Sequence, residues 1–289
     1  MKEKIKRFFT RNKVIALSAV IVLLLSAAGG IIIGTSATVK EQEGIELPII
    51  MYHSILKSAK VQTKYIVTPA QFEADLKWIK DNGYTSIFMS DLISYVYDGT
   101  PLPEKPIIIT FDDGYYNNLV YMYPLLVKYD MKAVVSIVGS YSEIFSNSKD
   151  LNPAYAHLTW ENIKEMSESG YVEFQNHSYE MHSTEVRKGC KIKAHESYDS
   201  YKKVFCADVM KTQLLLTEKC AITPDTFTYP YGYICDESEE LLKELGFKAT
   251  LSCYEKLNYI TRDKNCLYSL KRFNRDSTLS TERFMSKIK

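Results

Sequence analysis

IIITFDDGYY, residues 107–116, is the stretch on which the fold turns. Four apolar or β-branched residues in a row read as a buried strand. Asp112 and Asp113 fall where that strand ends, and Gly114 permits a sharp turn directly after them. Side chains of neighbouring residues on an extended chain point opposite ways, so the two carboxylates are expected to do different jobs at one site. Two ionised carboxylates at the rim of a buried strand repel each other and lose hydration. A metal ion offsets both costs. Taken alone, an Asp-Asp-Gly tripeptide is more often a solvated turn, so a second motif has to carry the reading.

That motif is His177-Ser178-Tyr179-Glu180-Met181-His182, which follows the strand-like Tyr171–Gln175. Two of the five histidines of the chain stand here, five residues apart. A helix would splay them, so a strand end and its loop are expected to bring them together. One Asp and two His form a common ligand set for a catalytic zinc that keeps a position open to water.

TFDDG at Thr110–Gly114 and HSxxxH at His177–His182 resemble the first two signature motifs of the polysaccharide deacetylases, the NodB-like carbohydrate esterases. Phe227-Thr228-Tyr229-Pro230-Tyr231-Gly232 resembles their third, RxPYG. The similarity runs from about Leu47 to about Asn274, with the motifs in order. It implies an α/β fold, a distorted (β/α) barrel with seven or so parallel strands. It also implies hydrolysis of N-acetyl groups on a glycan containing N-acetylglucosamine, with peptidoglycan and poly-N-acetylglucosamine as the leading substrates. An O-acetyl esterase of the xylan type and a catalytically silent glycan-binding barrel are the alternatives. The resemblance makes Asp113, His177 and His182 ligands of a divalent metal, zinc by preference, and Asp112 the base that takes the water's proton. It assigns oxyanion stabilisation to the metal and the backbone N–H of Tyr231, in a turn shaped by Pro230 and Gly232.

Two positions depart from the pattern. The Arg of RxPYG is replaced by Thr228, and the late LxxH motif that supplies the usual acid is missing, because no histidine follows His195. Arg272, on the expected last strand, is a candidate to pair with Asp112 instead. His53, ending the first strand, is a candidate acid. His157 and His195 read as structural and loop residues.

The rest of the chain supports a barrel independently. Leu47–His53 reads as a first strand, and Thr68-Pro69 as a cap and first residue of a helix with Phe72, Leu76 and Ile79 on one face. The reading continues with a strand over 85–89, a helix over 91–97, a helix over 118–129 and a strand over 133–138. A helix carrying Trp160, Ile163 and Met166 follows, then a strand before Pro230, a helix over 236–245 and a strand over 247–251. Alternation of this kind argues a parallel sheet with both faces covered. In such barrels catalytic groups gather at the C-terminal strand ends.

At the amino terminus a basic stretch, residues 1–13, precedes an uncharged run from Val14 to Gly34, which is long enough to cross a bilayer. The basic flank is expected to stay cytoplasmic. The run outlasts the apolar region of a cleavable signal peptide, which favours an uncleaved single-pass anchor. Residues 35–46 would then be a stalk, and 47–289 an extracellular catalytic barrel with an insertion around 183–206. The net charge of +1 gives no reason to invoke nucleic acid. Six cysteines include no CxxC pair, so a zinc knuckle is not expected. Cys190–Cys206 and Cys253–Cys266 are candidate disulfides for an extracellular protein, although sequence does not fix connectivity and six reduced thiols are the alternative.

Overall fold

The computed structural model describes residues 44–57 and 63–288. The basic tail, the membrane anchor and the stalk up to residue 43 lie outside the described residues. No helix among those described is long and apolar enough to cross a membrane. The end of the expected stalk is a strand instead: Ile45–Leu47 pairs antiparallel with Asn258–Ile260.

The main sheet contains β1 (Ile49–Tyr52), β2 (Thr85–Ser86), β3 (Pro106–Phe111), β4 (Ala133–Ile137), β5 (Val172–Asn176), β6 (Thr226–Thr228), β7 (Ala249–Leu251) and β8 (Phe273–Asn274). All run parallel in the order β7-β6-β5-β4-β3-β1-β8, with β2 paired to the start of β3. The segment entering β8 reaches back to the far edge, where Leu270 bridges Leu251 in parallel. The sheet is therefore curled, with the two edges of its seven-strand path meeting at this bridge.

The helices are α1 (Pro69–Asp81), α2 (Met89–Asp98), α3 (Tyr123–Tyr129), α4 (Gly139–Ser148), α5 (Trp160–Glu168), α6 (Tyr198–Cys220), α7 (Asp236–Glu244) and α8 (Thr281–Met285). The start of α1 follows from local chemistry. The Thr68 hydroxyl accepts from the Gln71 N–H at 3.1 Å, the Gln71 side chain accepts from the Thr68 N–H at 2.9 Å, and Pro69 opens the first turn. Phe72, Leu76 and Ile79 are fully buried in one cluster with Ile107, Ile109, Phe111, Val135 and Phe174. Ile108 and Val134 bury their side chains in a second cluster with Ala249, Leu251 and Leu270. The apolar run before Asp112 thus serves both faces of a covered parallel strand.

Two charged residues of this core hold α1 to the carboxyl-terminal end. Asp75 of α1 and Arg275, just after β8, are fully buried and paired at 2.6 Å. The Asp75 carboxylate also accepts from the Tyr52 hydroxyl at 2.9 Å and the Thr281 hydroxyl at 2.6 Å. Every element that meets there contributes a partner, as a buried charge requires.

Several expected elements differ. The strand expected over 85–89 is only two residues long, because Phe88 already caps α2 and its N–H is bonded to Asp91 at 2.9 Å. The helix expected over 118–129 begins with a wide π-helical turn, Asn118–Met122, before α3. The segment expected as an insertion around 183–206 is irregular only up to Ser197, where α6 begins. Helix α4 was not expected at all. No disulfide forms: all six cysteines are free thiols, and Cys190 packs in the apolar cluster with Tyr201 and Phe205.

Candidate active site

A cleft of about 680 Å³ opens at the C-terminal ends of the strands. Asp112, Asp113, His53, His177, His182 and Tyr231 all line it. A larger groove, about 860 Å³, opens at the opposite ends of the strands around Tyr84, Ser86, Lys132 and Tyr171. Among the described residues the one cluster able to hold a metal lies in the first cleft, so the chemistry belongs there.

The Asp-Asp-Gly turn separates its carboxylates by a left-handed bend rather than by strand alternation. Asp113 has φ 70° and Gly114 φ 67°. Aspartate tolerates this region. At Gly114 a side chain would also stand 2.8 Å from Ile137, so only glycine fits. Asp112 is thereby directed to Arg272 and Asp113 to the histidines.

Arg272 is fully buried and grips Asp112 through two hydrogen bonds of 2.7 and 2.8 Å. Its remaining donors reach the Ser252 carbonyl at 2.8 Å and the Thr110 hydroxyl at 3.1 Å. Burial alone would raise the Asp112 carboxyl, but the guanidinium outweighs it and holds the group below the usual carboxylate range. Thr228, which stands where the motif has Arg, hydrogen-bonds Ser136 at 2.7 Å. The arginine contact on Asp112 therefore arrives from another strand, and one motive for reading the barrel as silent disappears.

Asp113 Oδ1 lies 3.0 Å from His182 Nε2 and 3.5 Å from His177 Nε2. The ligand atoms of the three residues all fall within 4.8 Å of one another. The Thr228 carbonyl accepts a 2.7 Å hydrogen bond from His177 Nδ1, which leaves the Nε2 lone pair facing Asp113. This is the support a metal-ligating imidazole needs. His182 Nδ1 contacts the Tyr231 hydroxyl at 3.3 Å. Burial penalises the Asp113 charge, yet the His177 and His182 imidazoles beside it hold its carboxyl far below the ordinary value. Burial likewise opposes the charge on His182, and Asp113 reverses the effect and raises it. One buried carboxylate facing two imidazoles fits a divalent cation, which would satisfy all three at once.

His53 ends β1 on the same cleft. Its Nδ1 is buried without a partner, and its ring meets Tyr65 edge-on at 5.0 Å. Burial pushes its pKa down, and Asp112 and Asp113 only partly restore it. The π-helical turn after the Asp-Asp-Gly motif fixes this strand end. Asn118 Nδ2 donates to the His53 carbonyl at 3.0 Å, and Asn117 Oδ1 accepts from the Ile55 N–H at 3.0 Å. Asn117 Nδ2 also donates to the Ser54 hydroxyl at 2.9 Å.

Tyr231 sits at φ 58° in the turn Pro230–Gly232, which is closed by a bond from the Gly232 N–H to the Tyr229 carbonyl at 2.9 Å. His157 is not in the cleft lining; Tyr115 and Tyr141 enclose it, and burial lowers it to about 4. His195 is at φ 62° in the irregular segment before α6. The sequence reading missed Tyr65, Cys253 and Asn274 on the cleft wall.

Comparison with known proteins agrees with this geometry. A family model described as polysaccharide deacetylase matches residues 99–250. YxkH of Bacillus subtilis (strain 168) is 35% identical over 144 residues, which is 50% of this chain and 46% of that one. The poly-β-1,6-N-acetyl-D-glucosamine N-deacetylase of Escherichia coli (strain K12) is 25% identical over 222 residues, 68% of this chain and 32% of that one. The chain thus spans between a third and a half of the length of these relatives. The solved structure of a de-N-acetylase from Aggregatibacter actinomycetemcomitans superposes with a TM-score of 0.71 at 24% identity, covering 84% of this chain and all of that one. That likeness speaks to the curled parallel sheet. The matched family model spans both the Asp112-Asp113 turn and the His177–His182 pair, and this chain belongs to the polysaccharide deacetylase family.

Proposed function

We propose that the chain removes N-acetyl groups from a polysaccharide containing N-acetylglucosamine, releasing acetate and leaving a free amine on the sugar. The observation that carries this reading is the pairing of two buried carboxylates with separate partners in one cleft, Asp113 with two imidazoles and Asp112 with Arg272. Asp113, His177 and His182 would hold zinc, for which a carboxylate and two imidazoles are a suitable donor set. When bound, the ion supplies Lewis acidity for water and for the acetyl oxygen.

The chain's own groups do the remaining work. Arg272 keeps Asp112 ionised and aimed, so the carboxylate is in its proton-accepting form when water attacks the acetyl carbon. The backbone N–H of Tyr231, in the turn fixed by Pro230 and Gly232, donates to the developing oxyanion. An amine leaves only once protonated, and His53, which follows β1 and is neutral at rest because burial lowers its pKa, would relay to it the proton that Asp112 takes from the water. Glycans that contain N-acetylglucosamine, such as poly-β-1,6-N-acetylglucosamine and peptidoglycan, are the leading substrates. The uncharged run 14–34 supports a single-pass anchor with the barrel outside the cell.

The test separates the two carboxylates. His177→Ala should lose bound zinc and acetate release together. Asp112→Asn should lose turnover while zinc, counted by elemental analysis, stays bound. Equal metal loss in both variants would refute the division of roles.

A further inference from the structure

We infer that Asn274 and Tyr65 form a sugar subsite beside the reacting position, which holds a neighbouring ring of the same polymer. This deepens the proposed function and rests on it only for the identity of the polymer.

Asn274 is the last residue of β8, two positions beyond Arg272. Arg272, just before the strand, meets Asp112, and Asn274 lies in the wall of the same cleft. Asn274 is 9% exposed, and its Oδ1 is buried with no hydrogen-bond partner. An orphaned buried acceptor costs on the order of 1–3 kcal/mol, and no described residue offers it a partner. Its surroundings are held firmly in place. The Asn274 N–H is tied to Glu255 Oε1 at 3.2 Å, and Glu255 Oε2 is tied to Lys287 at 3.1 Å.

The amide needs a partner from the cleft. It offers an acceptor at one end and a donor at the other, which matches the adjacent hydroxyl or acetamido groups of a sugar ring. Tyr65, on the same cleft, exposes 42% of its surface while its ring edge rests on His53. A half-exposed ring fixed against a neighbour is a ready platform for the apolar face of a pyranose. The cleft, about 680 Å³, lies well inside the range of about 300–1,000 Å³ that encloses drug-sized ligands, and so takes more than one acetamido group.

The probe is a β-1,6-linked N-acetylglucosamine tetramer, titrated calorimetrically into the full chain kept metal-free with a chelator, beside N-acetylglucosamine itself. Wild type should bind the tetramer more tightly than the monosaccharide. Asn274→Ala and Tyr65→Leu should each weaken tetramer binding roughly tenfold, the worth of one good polar or stacking contact. Tyr65 is too exposed for its loss to unfold the chain, so it keeps the test valid even if Asn274→Ala is unstable. Equal affinity for tetramer and monosaccharide in the wild type, or unchanged tetramer binding in Tyr65→Leu, would overturn the subsite. Tetramer binding that depends on Tyr65, in a protein whose zinc-loaded form releases no acetate, would support the subsite and refute the proposed activity.

Discussion

His53 carries the residue-scale question. Its Nδ1 has no partner, burial favours its neutral form, and it lies across the cleft lining from the ligand cluster. If it protonates the departing nitrogen, His53→Ala should slow release of acetate from an N-acetyl sugar by roughly 10²-fold, the usual worth of one positioned acid. Zinc content should not change. An aryl acetate has a leaving group that needs no proton, so its hydrolysis should suffer far less; an equal loss on both substrates would exclude this role. The ligand residues were legible because each pair is close in sequence and sits at a strand end. Arg272 was legible as a strand residue with a charge to place. Asn274 and Tyr65 were not, since their meeting on one cleft depends on β8 closing beside β1, which no local pattern announces.

Among the elements, α1 and the end of β8 depend on the Asp75–Arg275 pair. Asp75→Ala would leave a fully buried guanidinium without its counter-charge, and removal of one partner of such a pair typically costs about 3–5 kcal/mol. Urea unfolding should show a loss of that size, with Tyr52→Phe costing much less because only one hydrogen bond goes. A loss under about 1 kcal/mol for Asp75→Ala would show that water or a rearranged Arg275 compensates. Helix α6 shows where sequence reading stopped short. Tyr201, Phe205, Val209, Thr212, Leu216 and Cys220 are its buried residues, a stripe at helical spacing. The signal was present, but polar residues around it made the segment read as an insertion. The two-residue β2 failed for the opposite reason: Phe88 and Met89 look like strand, yet Asp91 accepts from the Phe88 N–H and turns them into a helix start.

For the molecule as a whole, the uncharged run 14–34 and the barrel make one arrangement testable in cells. The full-length chain should fractionate with membranes, and amino-terminal sequencing should find it intact. A mature chain beginning near Ala28 or Val39 would reveal a cleaved leader instead. The π-helical turn at Asn118–Met122 has a consequence at this same scale. Asn117 and Asn118 tie the loop after β1 directly to the loop after β3, so the spacing between His53 and the paired carboxylates is held by the β1–β3 pairing and these side-chain bonds and not by the chain that joins them. The connection through 99–105 can then grow or shrink among relatives without retuning the chemistry. Length variation there and invariance at positions 117 and 118 would be the historical trace of that independence.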